Sequence, residues 1–344
     1  MRILAIETSC DETAAAVIEA AGGALSPVFT VHSSIVHSQI DIHRPYGGVY
    51  PTLAKREHTQ NIHPVIEATL EKSKFQTKDI DAIAVTVGPG LEPALWVGIN
   101  TAQELAKKWG VPLIPANHME GHLVSVLLKE QASVAFPAIG LLVSGGHTEL
   151  IVMNGWGQYE LIGRTRDDAA GEAFDKVART LGLPYPGGPA LSQLAAQRSH
   201  STEQELTLPR PMLHSNDYDF SFSGLKTAVL YATWQHPELI TDESLRVALA
   251  HEFESSVIEV LISKTKRALE SYKAHTLLVG GGVVANTRLR KACEELSQTE
   301  GIALFLPHHE YTGDNAAMIA AAAYLAHERG YEHIPIQANG ILSL

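Results

Sequence analysis

Cysteine is nearly missing: Cys10 and Cys293 are the two in 344 residues. Two thiols so far apart make no disulfide framework, and there is no Cys-x-x-Cys site. No apolar run approaches the ~20 residues of a membrane span. The opening Met1-Arg2-Ile3-Leu4-Ala5-Ile6 meets Glu7 too early to act as the apolar region of a secretory leader. These absences together predict a cytoplasmic protein with no membrane role. Aromatics are scarce at 6%, and a basic excess is lacking, since the net charge is −12. A protein that coats nucleic acid without specificity must neutralise many phosphates, so that class is excluded. Local basic clusters remain at Lys55/Arg56, Arg164/Arg166, Lys264/Lys266/Arg267 and Arg288/Arg290/Lys291. Such clusters are mostly solvated helix faces.

What is present is a 45% hydrophobic chain with 27 glycines. That fits an α/β enzyme with many tight turns, long enough for two cores. The segment His118-Met119-Glu120-Gly121-His122 sets two imidazoles four residues apart, on one face if it is helical. Two histidines so placed can share a metal ion, and Asp314 in Thr312-Gly313-Asp314-Asn315 is the best third ligand. A His-His-Asp set with open positions suits Zn²⁺ or Fe²⁺, and the residues alone do not choose. The competing reading is two helix-surface histidines among the 17 in the chain.

The glycine-rich turns around that segment change the odds. Residues 2–6 read as an apolar strand, 7–13 as a polar turn and 14–18 as a second strand. In that turn Asp11 or Glu12 could hold a cation beside a phosphate, or the turn could bond only to itself. Residues 138–153 repeat the plan around Ser144-Gly145-Gly146-His147-Thr148, where paired glycines let backbone N–H groups approach an anion. Between them, residues 53–70 predict a helix kinked or broken at Pro64. Strands at 80–87 and 111–115 end at Gly88-Pro89-Gly90 and just before His118, where open sheets place ligands. Asp167 reads as a helix cap, and Glu172 and Asp175 follow on one face. The Phe220-Ser221-Phe222-Ser223 alternation predicts a strand leading to an anion-binding turn at Ser223/Gly224. Residues 247–272 predict a long helix. Gly280-Gly281-Gly282, after a buried strand and before a helix from Asn286, predicts a nucleotide-cradling turn.

In order along the chain, IETSCDET (6–13), YGGV (46–49), GPG (88–90), HMEGH (118–122) and LVSGGHT (142–148) resemble one family. So do DDAAGEAFDK (167–176), YPGGP (185–189), DFSFSGLKT (219–227), GGGVVAN (280–286) and GDNAAM (313–318). The family is the universal tRNA threonylcarbamoyladenosine biosynthesis family, formerly described as O-sialoglycoprotein endopeptidases. The resemblance implies an actin/hexokinase/Hsp70-like (ASKHA) α/β fold of two RNase-H-like domains with a nucleotide cleft between them. The expected division is 1–134, with 315–344 packing back onto it, and 135–314.

The resemblance further implies an acyltransferase. It would move the threonylcarbamoyl group from L-threonylcarbamoyladenylate to N6 of adenosine 37 in tRNAs reading ANN codons, releasing AMP. It implies one Fe²⁺ or Zn²⁺ per subunit on His118, His122 and Asp314. It places the adenylate, or ATP/ADP, on Leu142, Val143, Ser144, Gly145, Gly146, Asp175, Gly188 and Asn286. Expected partners are tRNA, a TsaB-like paralogue in a heterodimer, a TsaE-like ATPase and a TsaC-like adenylate synthase. Glu12 or Asp11 is expected to assist deprotonation of the incoming amine. The chain departs from the family at Thr52, where a Glu is usual, and at residues 91–96, where small residues are usual.

Three rivals remain. A zinc protease needs Glu directly after the first His, but Met119 stands there. A sugar kinase of the same superfold has no use for a His-His-Asp set. A non-catalytic paralogue would be expected to lose that set, which this chain keeps.

Overall fold

The computed structural model describes residues 1–129, 133–198, 206–330 and 335–344. The chain divides into two compact units. The first comprises Met1–Val134, Trp156–Gln158 and Pro307–Leu344; the second comprises Ala135–Gly155 and Tyr159–Leu306. The return to the first unit falls at Pro307, ahead of the expected Asn315, so Asp314 lies in the first unit.

The first unit is built on a five-stranded sheet ordered β3-β2-β1-β4-β5. Its strands are β1 Arg2–Glu7, β2 Glu12–Ala21, β3 Val28–Ser38, β4 Ala82–Gly88 and β5 Leu113–Asn117. Antiparallel pairing joins β1 to β2 and β2 to β3, while β4 runs parallel to β1 and β5 to β4. The Ala-rich β2 is buried along most of its length. The helix Pro51–Ser73 packs on it, and so does the helix Ala316–Glu328, whose first ten residues are all buried. Small residues on β2 and on the second helix let backbones approach closely.

Pro51–Ser73 runs unbroken across Pro64, so of the two expected outcomes the break does not occur. Proline there forfeits a backbone hydrogen bond, at ~3 kcal/mol. Burial of Ile62, Val65 and Ile66 on either side of it offsets that loss, at roughly 1.5–3 kcal/mol per side chain. The His- and Ser-rich stretch before this helix, which shows no clear period, forms most of β3.

The second unit repeats the plan with the order β10-β9-β6-β7-β8. Here β6 is Ala138–Val143, β7 Thr148–Gly155, β8 Gln158–Arg164, β9 Thr276–Gly280 and β10 Ala303–Phe305. Again an antiparallel partner (β7) and a parallel one (β9) flank the first strand. The long helix Glu243–Tyr272 supplies much of the core through Phe253, Val257, Val260 and Leu261.

Two expectations fail in this unit. Phe220 makes an isolated bridge to Thr165, and Ser223 opens the helix Ser223–Gln235, so there is no strand. Asp167 does not cap the helix Ala170–Thr180, whose N-cap is Ala169. The two failures share a cause. The Asp167 carboxylate accepts from Ser221 Oγ (2.6 Å), Ser223 Oγ (2.8 Å), Phe222 N–H (2.8 Å) and Ser223 N–H (3.2 Å). The expected anion-binding turn does hold an anion, and that anion belongs to the chain. Among the described residues no helix is long and apolar enough to cross a membrane.

Candidate functional site

The parallel strand β5 ends at Asn117, whose side-chain oxygen accepts the N–H groups of Met119 (2.8 Å) and Glu120 (3.3 Å). This cap starts the helix His118–Val124 at the sheet's carboxyl edge. His118 and His122 therefore lie one turn apart and meet edge to face, with ring centroids 4.7 Å from each other. Gly121 lies between them; a Cβ there would stand 3.1 Å from both Ile319 Cδ1 and Met318 Cγ. The missing side chain lets this helix lie against Ala316–Glu328. Just before that helix, Asp314 brings Oδ1 to 3.4 Å from His118 Nε2 and 3.2 Å from His122 Nε2. The three ligand atoms all lie within 4.8 Å of one another, a group that could hold a metal ion.

His122 tests the fit. It is fully buried, and neither ring nitrogen makes a hydrogen bond, despite the closeness of Asp314. A buried imidazole left without partners is costly. A cation shared with Asp314 and His118 would satisfy its Nε2, so the donor set suits a divalent metal.

Glu7 completes the cluster and is the residue that sequence reasoning missed. It ends β1 and is fully buried. Its Oε2 lies 3.0 Å from His118 Nδ1 and accepts from Thr86 Oγ at 2.6 Å, while Oε1 accepts from the Ser9 N–H. An Nδ1–H donated to Glu7 leaves the Nε2 lone pair for a metal, the usual division of labour in such sites. The available signal is a carboxylate closing an otherwise apolar buried strand, which demands a partner.

Charge is concentrated here. Burial alone would depress His118, but Asp314 and Glu7 outweigh it and hold the imidazole well above its usual range. Burial would raise Asp314, yet His118 and His122 hold it far below the carboxylate range. Glu12 is pushed well up by burial and by the charges of Asp314 and Asp11. The two acidic turn residues thus share the electrostatic environment of the cluster, with Asp11 buried and Glu12 half-buried. Glu120 is not poised as a protease base: it is buried, and Oε1 takes Arg329 Nη1 at 2.9 Å.

The second unit holds a cavity of about 500 Å³ lined by Gly145, Phe174, Asp175, Gly188, Ser192 and Asn286, among others. Asp175 Oδ1 accepts from the N–H groups of Gly187 (2.7 Å) and Gly188 (3.2 Å), fixing the helix Gly187–Ala195 against Ala170–Thr180. Asn286 caps the helix Thr287–Glu300 through Leu289 N–H (2.9 Å). Its amide donates to Ser192 Oγ (2.8 Å) and to the buried Glu254 (2.6 Å), whose other oxygen takes Arg288 (2.9 Å). Glu254 and Ser192 are further residues not expected from sequence.

Of the expected adenylate residues, the structure brings Gly145, Asp175, Gly188 and Asn286 to this cavity. Leu142 and Val143 are fully buried, so their side chains face the core. Ser144 shapes the turn instead, its N–H bonded to His147 O and its carbonyl to Gly171 N–H. Gly145 and Gly146 are exposed, and a Cβ on either would meet nothing within 4 Å. Among the described residues no hydrogen bond reaches either N–H. The turn does not need glycine for its own packing, so the open space is available to a ligand. Gly281 differs: its φ is +97°, and a Cβ would run into the Val143 backbone.

The family model for the tRNA N6-adenosine threonylcarbamoyltransferase TsaD matches residues 30–321. The enzyme of that name from Bacillus subtilis is 47% identical over 334 residues, covering 96% of this chain and 92% of the relative. Its counterpart from Halalkalibacterium halodurans is 49% identical over 325 residues, covering 93% and 90%. The one from Thermomicrobium roseum is 45% identical over 374 residues, covering 99% of both. Among solved structures, full-length HypF in its phosphate- and nucleotide-bound form matches at 14% identity with a TM-score of 0.59, covering 94% of this chain and 55% of that one. This last likeness shows only the fold, α/β units of the ASKHA-like type. The chain belongs to the TsaD family of tRNA N6-adenosine threonylcarbamoyltransferases.

Proposed function

We propose that the protein transfers the threonylcarbamoyl group from L-threonylcarbamoyladenylate to N6 of adenosine 37 in tRNAs reading ANN codons. The observation that carries this reading is the His118–His122–Asp314 cluster, with both histidines buried and Glu7 behind His118, in a chain of this family. N6 attacks the carbamoyl carbon, the bond to the adenylate phosphate breaks, and AMP leaves with that electron pair. The N–H groups of Gly145 and Gly146 bind the phosphate. The Asp175 and Asn286 environment seats the nucleoside. Glu12, or Asp11 beside it, takes the proton that N6 gives up. His118, His122 and Asp314 would hold Fe²⁺ or Zn²⁺, which would supply Lewis-acid polarisation when bound.

In this reading the protein works in the cytoplasm with a TsaB-like paralogue, a TsaE-like ATPase and a TsaC-like adenylate synthase. The test is transfer of radiolabelled threonine to tRNA in the presence of those partners and ATP, comparing wild type with His118→Ala. Label with wild type alone supports the reaction and the metal role. Label with neither, from an active partner set, sinks the transferase reading. Equal label with both removes the histidines from the mechanism.

A further inference from the structure

In a chain with few aromatics, Tyr46 and Tyr50 stand out because both are exposed, at 61% and 53%, and yet stack on each other. Their ring centroids are 5.7 Å apart and the planes 29° from parallel. Neither ring contributes to the core. What lies beneath them is rigid. His43 is fully buried; its Nδ1 accepts Tyr50 N–H at 3.2 Å, and its Nε2 bonds Gln39 Oε1 at 3.1 Å. Gln39 is itself fully buried, and its N–H reaches Asp11 O at 2.9 Å. A continuous chain of bonds therefore ties the aromatic pair to the acidic turn that carries Asp11 and Glu12.

In the flanking sequence from Asp41 to Glu57, three basic residues face two acidic ones, with the Asp11 and Glu12 carboxylates on the turn behind. Asp41 is matched by Arg44 at 3.0 Å, and the buried Glu57 by Arg56 at 3.1 Å. Lys55 is exposed and, among the described residues, has no ion-pair partner. Exposed, stacked aromatic faces with an unmatched lysine on the following helix are what unpaired bases and their phosphates recognise. Double-stranded RNA buries its base faces and cannot use such a platform.

We propose that the Tyr46–Tyr50 pair, with Lys55 exposed on the first turns of the helix that follows, is a stacking platform for an unpaired base in a single-stranded loop of RNA. The identity of the RNA as substrate rests on the transferase reading above; the platform rests on this surface. At a site tied to the Asp11–Glu12 turn, it would hold a base of the loop that presents its neighbour for reaction.

The test is fluorescence-anisotropy binding of two RNAs to the full chain: a hairpin with an unpaired loop, and the same stem as a blunt duplex. The proteins are wild type, Tyr46→Ala/Tyr50→Ala, Tyr46→Phe/Tyr50→Phe and Lys55→Ala. The alanine pair should weaken the hairpin roughly tenfold to a hundredfold and leave the duplex unchanged. The phenylalanine pair should bind like wild type, because stacking needs the rings and not the hydroxyls. Lys55→Ala should lower the slope of log affinity against log salt by about one. An unchanged hairpin affinity in the alanine pair overturns the proposal, as does a wild type that prefers the duplex. A fall in sedimentation coefficient with unchanged RNA binding also overturns it, and assigns the pair to contact between copies of this chain. Threonine transfer separates the two readings. If wild type transfers and the alanine pair keeps its KM for tRNA, the enzyme stands and the platform falls. If wild type binds the hairpin through the tyrosines yet transfers nothing, the platform stands and the enzyme reading falls.

Discussion

Glu7 Oε2 lies 3.0 Å from His118 Nδ1, so the first strand of the chain orients a side chain on a helix far along it. Removing that carboxylate leaves His118 Nδ1 with Ser9 Oγ, 3.2 Å away, and takes away the charged acceptor that fixes the tautomer. Glu7→Ala should weaken metal binding about tenfold to a hundredfold. Glu7→Gln keeps an acceptor and should lose less. Competition against a chelator, read as metal content, checks both.

The two kinds of glycine make a contrasting pair. Gly145→Ala should leave the melting temperature nearly unchanged, within about 0.5 kcal/mol of stability, while weakening AMP in calorimetry. Gly281→Ala meets both a positive φ and the Val143 backbone, and should destabilise by about 1–3 kcal/mol. Equal melting temperatures for the two variants would contradict this assignment.

Burial pushes the Cys293 thiol up to about 12. A native-state thiol of that kind should resist alkylation at pH 8, whereas the unfolded chain reacts at a pKa of ~8.5. The sign for stability follows from the folded value lying above the unfolded one. The contribution is complete below ~8.5 and is lost as pH rises toward 12, because the unfolded state gives up its proton first. Mass-spectrometric labelling with and without denaturant checks the thiol. Denaturant midpoints across that alkaline window check the slope.

Asp167 is held below the usual carboxylate range: some burial works against this, but the hydroxyls of Ser221 and Ser223 and two backbone N–H groups prevail. Asp167→Ala should cost about 1 kcal/mol by unpairing that turn. The wild-type advantage should be present above ~3.9 and vanish as pH falls through the lower folded value. Urea midpoints of the two proteins, compared at neutral and acid pH, would show the gap closing.

The duplicated strand–turn–strand plan is legible because strand pairing uses local hydrophobic runs, as in residues 2–6 and 138–143. The His118–His122 pair is legible from helical spacing, and Asp314 from its small-polar turn. Glu7 is not, because its meaning depends on a helix more than a hundred positions away. Nor is Asp167, whose partners lie fifty-four to fifty-six positions downstream. Both carboxylates act through contacts between distant segments, which spacing along the chain does not report. Leu142 and Val143 illustrate the converse: a motif picks out a turn without saying which of its side chains are buried, and these two are.

The metal cluster draws on the first strand, the helix after β5 and the loop before Ala316–Glu328. No stretch of chain that stops short of Asp314 can offer all three ligands. During synthesis, a ribosome must therefore deliver most of the polypeptide before an ion can be held by the complete set. An ion held by that set would bridge segments nearly two hundred positions apart, so its binding would be coupled to the folding of the first unit as a whole.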